Sequence, residues 1–384
     1  MLQILLFIVL LLLIVYSILL LIYRSNWKAI PDFSLHNIKE SKSKLFISVV
    51  VAARNEEDNI ANLIASFQHQ SYPTDLFEII IVNDFSTDKT VEVIQQINFS
   101  NVRLLHLSDY IKDGSINSYK KKAIEIGVAA SKGELIVTTD ADCTVKTDWL
   151  TKIAVFFEQH QPDMIVMPVL IKHNTSFIQL FQSIDFMCMQ GITGAAIHKG
   201  LHGMCNGANL AYTKKIFQEV GGYKGVDKQA SGDDMMLLHK ISANAKNKIS
   251  YLKSPSVIVE TAPVNTFKEF VHQRIRWASK ATQYSDKTLL PVLLLIYLFN
   301  FSLACLIIGA LIKLQTDIIF YCLMFLSVKT IIEIYFLYPV ALFFQKDKWL
   351  WIFPLLQPAH IFYTIIVGAL GKAGAYQWKN RKVM

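Results

Sequence analysis

The chain has 384 residues, 53% hydrophobic and only 18% charged, with a formal net charge of +8. That is more apolar and less charged than an ordinary soluble domain, which excludes a wholly water-soluble protein and points to segments in lipid. The positive balance suits anionic headgroups and phosphorylated ligands. No basic stripe accompanies a nucleic-acid-binding motif, so there is no case for a nucleic-acid partner.

Leu2 to Tyr23 carries no charge and exceeds the roughly 20 residues needed to cross hydrocarbon. It lacks the basic start and the A-x-A site of a cleaved signal peptide, so residues 1–24 read as an N-terminal transmembrane anchor. Arg24 and Lys28 follow directly, which by the positive-inside rule puts the next segment in the cytoplasm.

About 240 residues of ordinary soluble composition come next, enough for one elaborated domain, expected at 44–287. Leu45 to Ala52 and Glu78 to Asn83 are β-branched runs ending in polar turns, which read as buried parallel strands. Between them, Asn55 to Gln70 carries Ile60, Leu63, Ile64 and Phe67 at helical spacing, with Glu56-Glu57-Asp58 in the expected first turn. The alternation continues through helix Thr90 to Ile97, strand Val102 to His106, helix Lys121 to Ala130 and strand Leu135 to Thr139. It predicts an α/β fold around a doubly wound, mostly parallel sheet. Such sheets bind ligands outside the carboxyl ends of their strands, which singles out Arg54, Asp84 and Asp140.

Beyond Lys287 lie three apolar stretches, Leu289 to Ile312, Ile318 to Phe344 and Trp349 to Leu370, so residues 288–371 read as a C-terminal transmembrane region. Lys329 and Glu333 stand four apart and are expected to pair on one helix face. Three crossings would leave the basic tail 372–384, with Lys372, Lys379, Arg381 and Lys382, on the outside, against the charge rule. Pro354 and Pro358 make Trp349 to Leu370 the candidate for a re-entrant or interfacial segment, leaving two to three C-terminal crossings. The five cysteines form no C-x-x-C pair, which suggests neither a zinc site nor a disulfide framework and suits a reducing cytoplasm.

Several polar residues carry chemistry. Asp140-Ala141-Asp142 supplies the hard oxygens that Mg²⁺ or Mn²⁺ needs when it also holds a diphosphate, although D-x-D alone is as often a turn. Asp84 can accept from a nucleobase or ribose, or form an Asx turn and helix cap. Arg54 and Lys120-Lys121-Lys122 face phosphate or solvent, solvation being expected for at least one lysine. Asn209, among small residues from Cys205 to Tyr212, can bond sugar hydroxyls or close a tight turn. Asp233 and Asp234 open a helix over Met235 to Ile241, one as its cap and the other, taken as Asp234, as a general base. In Gln273-Arg274-Ile275-Arg276-Trp277, the indole can stack on a sugar and the amide and guanidinium can bind diphosphate, unless the run is a membrane-proximal aromatic-basic belt.

Six segments in order, V-x-A-R-N-E-E from Val51, N-D-x-S-x-D from Asn83, D-A-D from Asp140, G-A-N-L-A-Y from Gly207, G-D-D from Gly232 and Q-x-x-R-W from Gln273, resemble the membrane-integrated glycosyltransferase family 2 enzymes. That group includes hyaluronan, chitin and cellulose synthases and ceramide glucosyltransferases. The resemblance implies a GT-A fold, a UDP-sugar donor, Mg²⁺ or Mn²⁺, and inversion at the anomeric carbon. It places Asp84, Arg54, Glu56, Lys120, Lys121 and Asp140 at the donor nucleotide, Asp140 and Asp142 on the metal, and Asp234 as the base. By the same resemblance Asn209, Asp233 and Trp277 lie beside acceptor or sugar, and Gln273 and Arg276 near pyrophosphate. Met235-Met236 departs from the arginine and histidine common in hyaluronan-synthase-like chains.

The function expected is transfer of a sugar to a lipid-linked or growing glycan acceptor at a bacterial inner membrane, with oligomerisation or secretion partners left open. A catalytically silent nucleotide-sugar-binding scaffold is the alternative; intact Asp140, Asp142 and Asp234 weigh against it.

Overall fold

The computed structural model describes residues 2–34, 43–173, 176–227, 229, 232–244, 246–279, 287–371, 376–378 and 381–383. Its contacts define two compact units: Pro31–Lys172 with Gly203–Pro263 and Ala375–Met384, and Met1–Ile30 with His173–His202 and Val264–Gly374. Within the span 44–287, the described residues of 173–202 and 264–279 cluster with the apolar helices.

The chain begins with helix α1 (Leu2–Ala29), then β1 (Ile47–Ala53), α2 (Ile60–Gln68), β2 (Phe77–Asn83), α3 (Thr90–Gln96), β3 (Val102–His106), α4 (Tyr119–Ala130) and β4 (Leu135–Thr138). There follow β5 (Cys143–Thr144), α5 (Trp149–His160), β6 (Met164–Val166), β7 (Val169–Ile171), α6 (Phe177–Lys199), β8 (Leu210–Thr213), α7 (Lys214–Glu219) and α8 (Asp233–Ser242). The remainder is β9 (Ile249–Tyr251), β10 (Val259–Thr261), α9 (Phe267–Ala278), α10 (Leu289–Lys313), α11 (Thr316–Phe343), α12 (Phe353–Leu370), β11 (Tyr376–Trp378) and β12 (Arg381–Val383). Lys372 and Lys379 of the basic tail lie outside the described residues.

The sheet unit is built on seven strands in the order β3-β2-β1-β4-β8-β6-β9. β1 to β4 are parallel to one another, while β8 runs antiparallel to both β4 and β6. Val49, Val51, Ile79, Ile81 and Val137 are buried, as the continuous β-branched runs require of strands covered on both faces. Helix α4 lies so close to β1 that a Cβ on Gly127 would come 2.4 Å from a Val50 methyl, so glycine is needed there. The order reverses between β1 and β4, and the carboxyl ends of these strands and of β2 carry Arg54, Asp140 and Asp84.

Helix α2 starts at Ile60, five residues later than expected. Asn55 is left-handed at φ 51°, and the Glu56 carbonyl closes a turn onto the Asn59 and Ile60 amides. The Asn55 and Glu56 amides are drawn instead to the Ser86 and Thr90 hydroxyls after β2, at 3.1 and 2.7 Å. These tertiary hydrogen bonds displace the helix start.

In the helical unit, α1, α10, α11 and α12 are each long and apolar enough to cross a membrane. The expected Lys329–Glu333 pair forms at 2.7 Å and is buried. Gln357 of α12 accepts from Lys329 at 2.7 Å and donates to Glu333, and Tyr16 of α1 donates to Glu333 at 2.6 Å. A lone charge in an apolar interior costs several kcal/mol, so this four-residue network is what lets two charges be buried there, and it links three helices.

Candidate active site

The loops after β1 and β2 form one end of the site. Asn83 accepts from the Ser86 amide at 3.1 Å, and Asp88 accepts from the Thr90 amide at 3.1 Å at the start of α3. These neighbours close the turn after β2; Lys89 is the N-cap of α3 and makes no side-chain cap bond. Asp84 is buried, with the Arg54 guanidinium 4.0 Å from its carboxylate. Arg54 also donates to the Asp84 and Phe85 carbonyls, both at 2.8 Å, so its fixed fork organises the loop beneath Asp84. Glu56 accepts from the Asn59 side chain at 2.9 Å within the adjacent turn.

At the other end one cation gathers the acidic motifs. The Lys120 ammonium lies 2.6 Å from Asp140 and 3.6 Å from Asp233. Burial opposes its charge, but Asp140, Asp233 and Asp234 outweigh that and hold its pKa above the usual lysine range. Gly232, at φ 81°, precedes α8, so Asp233 and Asp234 occupy its first two helical positions and neither is the cap. The helix dipole favours both carboxylates there. Asp234 accepts from the Gly207 amide at 3.0 Å and from the Met235 amide at 2.8 Å. A Cβ on Gly207 would come 3.2 Å from Asp233, so glycine lets the backbone close on the two acids.

Asp140 and Asp142 flank the turn after β4, both partly exposed. The β5–β10 pairing sets Thr261 opposite Cys143, and the Thr261 hydroxyl reaches Asp142 at 3.3 Å. Among the described residues no group of three or more His, Cys, Asp or Glu could enclose a metal ion. Two accessible carboxylates on one turn fit a hard cation that draws its other ligands from diphosphate and water, and do not fit a closed zinc centre. Burial first, then the neighbouring acids, pushes the thiols of Cys143 and Cys205 well up, so both stay protonated and poorly nucleophilic.

Two expected ligand contacts are corrected. Asn209 is fully buried: it donates to the Pro168 and Val257 carbonyls at 2.7 Å each and accepts from the Trp149 indole at 3.0 Å. Its amide knits the core and has no group left for a sugar. Asn209→Ala would strand two carbonyls and an indole N–H, so a loss of roughly 2–5 kcal/mol is expected in denaturant unfolding of the purified protein. Lys121 is likewise buried, its ammonium donating to the Val226 and Gln229 carbonyls at 2.7 and 2.8 Å and to Met236 Sδ at 3.2 Å. Burial pushes its pKa down to about 8 against the pull of Asp233, Asp234 and Asp227. It fastens the loop before α8 and does not face a nucleotide. Lys122, half-exposed beside Glu125 at 3.3 Å, is the solvated lysine of the three.

The Q-x-x-R-W run lies on α9 in the helical unit, opened by a capping box between Thr266 and Glu269. Arg274, inside the motif but not part of its signature, is buried and reaches one oxygen of Asp185 on α6 at 2.8 and 3.1 Å. Tyr363 of α12 donates to the other Asp185 oxygen at 2.6 Å. The Arg274 guanidinium lies 4.2 Å over the Trp277 ring and donates to Gln273 at 3.2 Å, so it orders two signature residues at once. Trp277 also packs on Phe186 at 5.8 Å, and Gln273, Arg276 and Trp277 are all partly exposed. Sequence reading passed over Arg274, Asp185 and Tyr363. The available signal was Asp185 itself, the one acidic residue in the apolar run Phe177–Lys199, where a buried charge demands a partner.

The fold has a solved counterpart. The mannosyltransferase PcManGT from Pyrobaculum calidifontis, solved in complex with GDP-Man and Mn²⁺, superposes with a TM-score of 0.58 at 15% identity, covering 92% of this chain and 99% of that one. The fold is of the GT-A type. A family model described as Glycosyl transferase family group 2 matches residues 135–356, and one described as Glycosyl transferase family 2 matches residues 48–221. The chain belongs to glycosyl transferase family group 2.

Among curated relatives, a beta-monoglucosyldiacylglycerol synthase from Nostoc sp. is 28% identical over 256 residues, 65% of this chain and 52% of the relative. A probable glycosyltransferase, YdaM, from Bacillus subtilis is 26% identical over 272 residues, 68% of this chain and 60% of the relative. The chain thus spans between half and two thirds of the length of these relatives.

Proposed function

We propose that the chain is an inverting hexosyltransferase that moves a sugar from a UDP-sugar to a lipid-linked or growing glycan acceptor at the membrane, with its sheet unit in the cytoplasm of a bacterium. The observation that carries this reading is the convergence of the D-x-D turn and the start of α8 on Lys120, which brings Asp140 and Asp233 to one ammonium with Asp234 adjacent in the chain. Asp84, at the carboxyl end of β2, accepts from the nucleobase. Asp140 and Asp142 would hold Mg²⁺ or Mn²⁺, which when bound neutralises charge on the departing diphosphate. Asp234 takes the proton of the acceptor hydroxyl as its oxygen attacks the anomeric carbon from the face opposite the leaving group. The bond to the diphosphate breaks with its electron pair, and the configuration inverts.

The name of the Nostoc relative supports a lipid acceptor. Purified protein with Mn²⁺, a panel of UDP-sugars and a membrane lipid extract is expected to release UDP with one donor. No release with any donor would overturn the enzyme reading, and nucleotide binding without release is the result a silent scaffold gives. Asp142→Asn is expected to weaken Mn²⁺-dependent UDP binding by at least about tenfold in calorimetry. An unchanged affinity would remove Asp142 from the metal.

A further inference from the structure

Within the sheet unit, Lys120 is the ammonium set against the acids of the D-x-D turn and of the start of α8. It donates to one oxygen of Asp140 at 2.6 Å and stands 3.6 Å from Asp233, too far for a hydrogen bond. Its stronger hold is thus on the residue that a metal at the turn needs. A Cβ added to Gly207 would come 3.8 Å from the ammonium, so the cation also lies near the backbone whose amide bonds Asp234.

The residues on either side of Lys120 are fixed. Tyr119 packs edge-on against Phe85 at 5.9 Å and accepts from the Gly114 amide, and Lys121 is fastened to the Val226 and Gln229 carbonyls. The start of α4 is therefore held, and the Lys120 ammonium changes partner only through its own side-chain torsions. Its side chain is 23% exposed and that of Asp140 34%, which leaves room for the rotation.

A bare divalent ion that reaches Asp140 must displace this ammonium or lie beside a like charge, and either opposes its binding. A nucleoside diphosphate changes the balance, because its oxygens accept from the ammonium and also give the metal further hard ligands. We infer that Lys120 is a counter-ion switch that keeps a bare divalent cation off the D-x-D turn and admits it only together with the diphosphate of the nucleotide. The inference rests on the reading of Asp140 and Asp142 as metal ligands and adds an order of binding to it. Before the donor binds, Lys120 offsets the repulsion between Asp140 and the acids that open α8. When the donor binds, Asp140 exchanges the ammonium for the metal, and Lys120 keeps Asp233 as a counter-charge while it donates to the diphosphate.

Binding of Mn²⁺ to the full-length protein in detergent tests this apart from turnover. It is read from loss of the free-ion electron paramagnetic resonance signal with and without UDP, corrected for Mn²⁺ held by UDP in solution. In the unsubstituted protein UDP is expected to raise Mn²⁺ affinity by at least about tenfold. Lys120→Met is expected to bind Mn²⁺ without UDP at least about tenfold more tightly than the parent, while Lys120→Arg, which keeps the charge, stays within about threefold of it. Lys122→Met removes the same charge two residues on and is expected to change the affinity by less than about twofold, which separates the switch from net charge. Adding Asp142→Asn to Lys120→Met is expected to abolish the gain; a gain that survives puts the ion elsewhere and overturns the inference. Equal Mn²⁺ affinity with and without UDP in the unsubstituted protein overturns it whatever the variants do, and so does a Lys120→Met affinity no higher than the parent's. If Mn²⁺ with UDP still binds the parent and not Asp142→Asn, those results remove the switch and leave the metal ligands standing. No Mn²⁺ binding under any condition removes both.

Discussion

Asp234→Asn is expected to lower sugar transfer by about 10²–10⁴-fold while leaving UDP binding within a few-fold of the parent. The amide keeps the shape of the carboxylate but cannot take a proton at neutral pH. One of its two terminal groups becomes a donor, so either the Gly207 or the Met235 amide loses an acceptor, at a cost of about 1 kcal/mol. That is too little to unfold the sheet unit. Transfer and nucleotide binding measured on the same preparation separate loss of the base from loss of the fold. Undiminished turnover would remove Asp234 from the base role, and a parallel loss of UDP binding would place it on the donor.

Asp185→Ala is expected to have the largest effect on stability, roughly 3–5 kcal/mol in the helical unit, because it leaves the Arg274 guanidinium buried without its counter-charge. Tyr363 loses its acceptor as well. Thermal unfolding in detergent, followed by tryptophan fluorescence, measures the loss; a melting temperature equal to the parent's would show that the pair holds nothing together. Replacing both partners, Asp185→Leu with Arg274→Met, is expected to recover most of the stability, since an apolar pair of similar volume needs no desolvation of charge. Transfer is expected to stay low in that double variant, because Trp277 has lost the guanidinium stacked on its ring and Gln273 its hydrogen-bond donor. Full recovery of both properties would make Arg274 a purely structural residue.

Unlike β5 to β12, strands β1 to β4, their parallel run, the four long apolar helices and the Lys329–Glu333 pair were legible in the chain as written. Each depends on local periodicity, or on the energetic demand that apolar runs be buried and charges in hydrocarbon be paired, and both act on residues close in sequence. The placement of two acidic residues was legible for a related reason: strand ends in a doubly wound sheet gather at one edge, so Asp84 and Asp140 could be set just past β2 and β4 before any contact was known. What a polar side chain does once it arrives depended on groups remote in the chain. Asn209 and Lys121 looked like ligand contacts until the core claimed Asn209 through Trp149, Pro168 and Val257, and the loop before α8 claimed Lys121 through Val226 and Gln229. Lys120, beside Lys121 in sequence, turns instead to Asp140 and Asp233, because successive helical residues point about 100° apart and only one of the two directions faces the acids. The same division governs the membrane helices. Hydropathy determined that α12 could enter lipid, whereas what it packs against is decided by Gln357, Tyr363 and Gly368, whose partners on α11, α6 and α10 lie 24 to 178 residues away.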